Sequence, residues 1–125
     1  MTATAWAHLP NAKHIDRILA SLEAHPDKWE AARGGAYDAA NIKAWDAAYI
    51  EARNAARTAA QTAAWSASWT AARGAGGGAI TALIAWDDCA YMLELPEDTL
   101  KVLRAVGNEQ ALLLFGAAKV LKETS

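Results

Sequence analysis

The sequence predicts an all-α fold, a helical bundle of four to six helices built around one long Ala-rich helix. Three observations carry that expectation. A tetrad repeat runs from Tyr37 to Gly76, with alanine filling most places between the large residues. Outside it, apolar residues recur at i, i+3, i+4 and i+7, the spacing of one helix face. No segment shows the bounded, alternating pattern of a strand. With 125 residues the chain reads as a single domain, 1–125, long enough for one core.

Asn11 reads as an N-cap, after which Ile15, Ile18, Leu19 and Leu22 mark an amphipathic helix face. His25-Pro26 ends that helix, because the residue before proline avoids the αR region. Asp27 to Glu30 starts another turn, and Gly34-Gly35 is expected to break or kink it.

The repeat then reads YDAA, NIKA, WDAA, YIEA, RNAA, RTAA, QTAA, WSAS, WTAA, RGAG. Alanine gives it high helix propensity, and neither proline nor glycine interrupts it before Gly74. Unbroken, this helix would be roughly 55 Å long at 1.5 Å per residue. Either it projects and pairs with another copy, or it bends where its Ala-only stretch packs. A step of four residues advances about 400°, so each tetrad drifts about 40° round the axis. On a continuous helix Trp45 and Tyr49 are neighbours, Arg53 and Arg57 lie further round, and Trp65 and Trp69 fall almost opposite Trp45. The heptad-like set Ala52, Ala56, Ala59 and Ala63 suits a close antiparallel or two-fold contact.

Gly74 to Gly78 ends the repeat and supplies a flexible corner. The next helix is expected from about Ala79 to Leu95. Pro96-Glu97-Asp98 is a start signal for a short helix to about Val106. Gly107 closes it and Asn108 caps a final helix, Glu109 to Lys122, carrying Leu112, Leu113, Phe115, Val120 and Leu121.

The composition narrows the function. The chain is 54% hydrophobic, but much of that is alanine, so Leu, Ile, Val and the six tryptophans must supply the core. A net charge of −2 argues against a general nucleic-acid binder, though not against a local basic site. The single cysteine, Cys89, forms no intrachain disulfide. The N-terminus lacks the basic and apolar regions of a secretory signal, and no apolar run is long enough to span a membrane. The expectation is a soluble, cytoplasmic protein.

Two groups of residues can carry chemistry. On a helix running from Ile80 to Leu95, Asp87 falls in the middle of the apolar face made by Ile80, Leu83, Ile84 and Tyr91, with Glu94 near its edge. A carboxylate there is either a structural partner of an Arg or a Trp N–H, or part of a site. The second group is Arg53, Arg57, Trp65, Trp69 and Arg73. From Ala52 to Arg73 there is no acid, which gives a local charge of +3. Arg offers forked donors for phosphate and Trp a flat face for a base. A nucleotide pocket uses that combination, although tryptophans packed in the core and arginines on the surface explain it more simply. His8, His14 and His25 lack tight metal spacing, Cys89 reads as a small buried thiol, and GAGGG lacks the Lys-Ser/Thr of a phosphate loop. No metal or cofactor is expected.

The run of AAW and AAR tetrads followed by ALIAWDDCAYMLELP resembles small Ala/Trp-rich tetrad-repeat proteins of bacteriophages and prophage-carrying bacteria. The resemblance runs in style from Leu9 to Leu114 and is most specific over Trp45–Pro96. It brings no catalytic residues. It implies a small cytosolic accessory protein, used against host functions by binding a host protein or a signalling nucleotide.

Taken together, these features point to a non-enzymatic, self-associating helical binding protein of the phage accessory type, which occludes or sequesters a host factor. One alternative is a nucleotide-sequestering protein using Arg53, Arg57, Trp65, Trp69 and Arg73, with Asp87 reading a base edge. A second is a structural or adaptor module. An enzymatic reading would bring Asp87, Glu94, Tyr91 and His14 together as acid–base groups. The expected partners are a second copy of the chain and either a host protein or a small nucleotide, with no general nucleic-acid or membrane binding.

Overall fold

The computed structural model describes residues 5–36, 42–56, 58–72 and 76–124. Among them are seven α-helices, one 3₁₀ helix and no strand, an all-α bundle. In chain order the helices are α1 (Ala12–Ala24), α2 (Pro26–Ala36), α3 (Ile42–Ala55), α4 (Ala59–Ala72), α5 (Gly77–Ala85), the 3₁₀ helix (Ala90–Glu94), α6 (Glu97–Ala105) and α7 (Glu109–Glu123).

The centre of the bundle is α5, not the repeat. Every residue from Gly77 to Ile84 is buried, because the segment is uncharged and small or apolar on all sides. Helices α1, α3, α4 and α7 pack around it. Helix α7 is the second core element, holding α2, α3, α6 and the 3₁₀ helix. Trp6, Trp29 and Trp45 are buried, supplying area that alanine cannot. Two of them also tie the N-terminal helices: Trp6 Nε1 donates to Asp16 Oδ1 (2.8 Å) and Trp29 Nε1 to Ser21 Oγ (3.0 Å).

The repeat does not form one long helix. It is divided into α3, which ends at Ala55, and α4, which starts at Ala59. The new start is a reciprocal cap within the repeat itself. Thr58 Oγ1 accepts from the Gln61 N–H (3.0 Å), and Gln61 Oε1 accepts from the Thr58 N–H (3.1 Å). This is the Ser/Thr-x-x-Glu/Gln capping box, which satisfies two otherwise orphaned backbone donors. Folding back lets both halves bury against α5 instead of leaving large side chains in water. The set Ala52, Ala56, Ala59 and Ala63 is accordingly split. Ala52 and Ala56 are buried in the chain's own core, whereas Ala59 and Ala63 are exposed on α4.

Two glycine expectations also change. Helix α2 continues through Gly34-Gly35 to Ala36. Gly77 and Gly78 belong to α5 instead of a loop, and the reason at Gly78 is space: a Cβ there would stand 2.5 Å from Trp45 Cζ2. Only a residue without a side chain lets the indole lie against the α5 backbone. Near the C-terminus the sequence expectations hold. Gly107 has φ +82°, the left-handed region glycine favours, and Asn108 Oδ1 caps α7 by accepting from Ala111 N–H (2.9 Å).

Candidate functional site

The α3–α4 fold-back creates the site. Along α3, Trp45, Tyr49 and Arg53 are spaced by four and occupy neighbouring positions on one side. Trp45 and Tyr49 stack with centroids 5.4 Å apart and planes 6° from parallel. One step further, the Arg53 guanidinium lies over the Trp65 ring of α4, 4.8 Å from its centroid. On an unbroken helix twelve residues would separate those two by about 18 Å along the axis. The contact therefore measures the bend directly, and Trp65 is not on the far side from Trp45 as the continuous register implies.

Trp65 is fixed from below. Its Nε1 donates to Thr81 Oγ1 (3.0 Å), and that hydroxyl donates in turn to the Gly77 carbonyl (2.6 Å). Thr81 is a buried polar residue of α5, so its satisfied hydroxyl gives the indole a rigid seat. Tyr49 joins the same group. Burial raises its pKa above the ordinary tyrosine value, while hydrogen bonding with Thr81 and Trp65 and the positive charge of Arg53 pull the other way.

Above this seat opens a cleft of about 500 Å³, walled by Ile50, Arg53, Asn54, Thr62, Trp65 and Ser66. That volume lies in the range of small-molecule sites. Arg53 is exposed and has no carboxylate partner among the described residues. Helix α4 carries no charge, and no acid occurs between Glu51 and Asp87 in the sequence. The cleft thus combines an oriented fork of N–H donors, hydroxyl and amide groups, and apolar surface. It can bind an anionic group and a flat ring. Among the described residues its wall holds no carboxylate, histidine or thiol.

Of the residues expected at the site, Arg53 and Trp65 meet. Arg57 and Arg73 lie outside the described residues, as does the side chain of Trp69. Asp87 does not belong there: it is exposed in the turn after α5 and is not part of the cleft wall. The helix assumed to carry it to Leu95 stops at Ala85, where Trp86 turns to extended backbone (φ −122°, ψ 107°). Side chains reach the carbonyls at this end of α5. Asn11 Nδ2 donates to Leu83 O (2.9 Å) and Trp86 O (3.1 Å), Gln61 Nε2 to Ile84 O (3.1 Å), and Cys89 Sγ to Ala82 O (3.5 Å). Asn11 thus sits at the α1 N-cap position, but its side chain terminates α5 and makes no cap of its own helix.

The other candidates resolve as follows. Glu94 is exposed and pairs with Arg17 at 3.3 Å. Such a pair adds little stability in solvent. His14 nearby has a lowered pKa, from burial first and then from Lys13 and Arg17, opposed by Glu94. Tyr91 is 58% exposed. Cys89 is buried, and burial foremost, with Asp88 second, pushes its thiol up to about 12, leaving essentially no thiolate at neutral pH. Among the described residues no three His, Cys, Asp or Glu side chains are grouped to hold a metal ion, and no helix is long and apolar enough to cross a membrane.

Fold and site together define an all-α bundle with a cleft between two halves of one repeat. Compared with known proteins, the chain finds no matching family model, curated protein or solved structure.

Proposed function

We propose that the protein is a non-enzymatic helical binding module that holds a flat, anionic small molecule of nucleotide type in the α3–α4 cleft. The observation that carries this reading is the Arg53 guanidinium held over Trp65 at the wall of a cleft of about 500 Å³. Stacked on the indole, the guanidinium loses few rotamers on binding, and its outer N–H groups suit a phosphate fork. The cleft is best suited to binding and release, and hence to sequestration. In the setting that the tetrad resemblance implies, a phage-type accessory protein would act by withdrawing such a molecule from the host.

Native mass spectrometry of the protein as purified, followed by tryptophan-fluorescence titration with nucleoside mono- and diphosphates, tests this. The expected result is saturable quenching that is absent in Trp65→Phe and weakened about tenfold in Arg53→Ala, the loss of one charge-assisted contact. Absence of both added mass and quenching at millimolar nucleotide would reject the cleft as a nucleotide site.

Self-association is the second reading, favoured by Val102 and Val106. They are one turn apart on and just beyond α6, and 63% and 76% exposed. Sedimentation equilibrium of the wild type and Val106→Glu tests it: a monomer in both removes the reading.

A further inference from the structure

We propose that a second site, independent of the α3–α4 cleft, lies in the groove between α2, α6 and α7. It takes a linear amphiphile with one anionic head group, such as a straight-chain carboxylate. Lys119 holds the head, and the space left by Gly116 accepts the tail.

Two cavities meet there. The larger, about 340 Å³, lies between α2 and α7 over Ala31, Ala32, Gly116 and Val120. The smaller, about 90 Å³, continues towards Leu100 of α6. Phe115, Lys119 and Glu123 border both. The floor is aliphatic, and the Phe115 ring already carries the Arg104 guanidinium 4.0 Å from its centroid. The groove therefore suits a narrow aliphatic chain better than a stacked base.

The sign of the head group follows from the charges around the groove. Lys28 pairs with Glu123 at 3.8 Å, and Glu97 pairs with Lys101 at 3.5 Å. Asp27 stands in the first turn of α2, where the helix N-terminus favours an acid. Lys119 has no carboxylate partner among the described residues. Lys119 borders both cavities, so its ammonium group stands without a carboxylate partner where they join.

Gly116 supplies an independent argument. Glycine inside a helix is less stable than alanine. At Gly78 the packing demands it, but at Gly116 it does not. A Cβ there would meet only Ala32, at an ordinary 3.7 Å. What the missing side chain provides is open volume in the floor of the larger cavity.

The test is an amide NMR titration of the full chain with straight-chain carboxylates of increasing length, using alkyl alcohols and alkyltrimethylammonium ions as controls. Saturable shifts are expected at Phe115, Gly116 and Lys119, with affinity rising up to about fourfold per added methylene. Lys119→Gln should weaken the carboxylates about tenfold and leave the alcohols unchanged. Gly116→Leu should abolish both, and Arg53→Ala should change neither, which separates this site from the cleft. Three results would each overturn the proposal: no saturable shift in the groove at any length, ammonium ions binding as tightly as carboxylates, or indifference to Lys119→Gln. Lys119→Gln alters an exposed side chain, so the test survives if Gly116→Leu fails to fold.

Discussion

Replacing Gly78 by alanine puts a methyl group 2.5 Å from Trp45 Cζ2, 3.3 Å from Cη2 and 3.4 Å from Leu113 Cδ2. The first distance is well inside van der Waals contact. The ring has little freedom to yield, since it is 9% exposed and stacked on Tyr49. Overpacking of this kind costs about 1–3 kcal/mol. Helix propensity opposes it, because alanine in a helix interior is better than glycine by about 1 kcal/mol. The net expectation is a loss of up to about 2 kcal/mol. Gly116→Ala is the matched control. Its Cβ finds only ordinary contact, so the propensity gain of about 0.5–1 kcal/mol should appear undiminished. The same substitution on two helical glycines of the α5 and α7 core should thus shift stability in opposite directions. At about 3–5 °C per kcal/mol for a domain of this size, the two melting temperatures should differ by up to roughly 15 °C. Thermal melts by far-UV circular dichroism measure this, and the near-UV band reports the Trp45 environment. A Gly78→Ala protein as stable as Gly116→Ala, with an unchanged near-UV spectrum, would refute the packing argument.

Two further outcomes test the bend and the buried thiol. Thr58→Ala removes half of the reciprocal cap and should cost about 1 kcal/mol. Gln61→Ala should cost more, because it also strips the Ile84 carbonyl of its donor. Urea unfolding with amide exchange over 58–62 reads both, and an unchanged midpoint in Thr58→Ala would mean that the cap does not set the break. Cys89 holds its proton to about 12 in the fold, whereas an unfolded thiol titrates near 9.0. Below the lower value both states are protonated and the group adds no pH dependence. Between the two, only the unfolded state loses its proton, so stability should fall as pH rises, by at most about 1.4 kcal/mol per pH unit from this group. Cys89→Ala should flatten that slope in urea unfolding across the range. A slope identical in the two proteins would show that the thiol is not responsible.

Local signals were legible and distant ones were not. Helices α6 and α7 could be placed from Pro96, Gly107 and Asn108 because caps and glycine turns act within a few residues, and α1 from the apolar spacing of Ile15, Ile18 and Leu22. The start of α4 also had a local signature, Thr58 followed three residues later by Gln61. It was masked by the regularity of tetrads in which Thr-Ala-Ala recurs. The end of α5 had no local signature, since it is set by Asn11 and Gln61, 72 and 23 residues away from the carbonyls they cap. That is why Asp87 was projected into a core it does not enter. At the site, residue chemistry singled out Arg53 and Trp65, but on a straight helix that would have held them apart. Ile50, Asn54, Thr62 and Ser66, also in the wall, looked like filler between tetrad positions and carried no signal of their own.

The burial of α5 on every side bears on how the chain is made. Synthesis runs from the N-terminus, so α1, α3 and α4 are made before Gly77 is joined to them. The faces that meet α5 are shaped to a helix that does not yet exist, although α1 can already touch α2 and α4. Completion of the core must then wait for about the last two-fifths of the sequence, which brings α5 and later α7. A chain released before Gly77 would hold more than half of the residues and have nothing to wrap around.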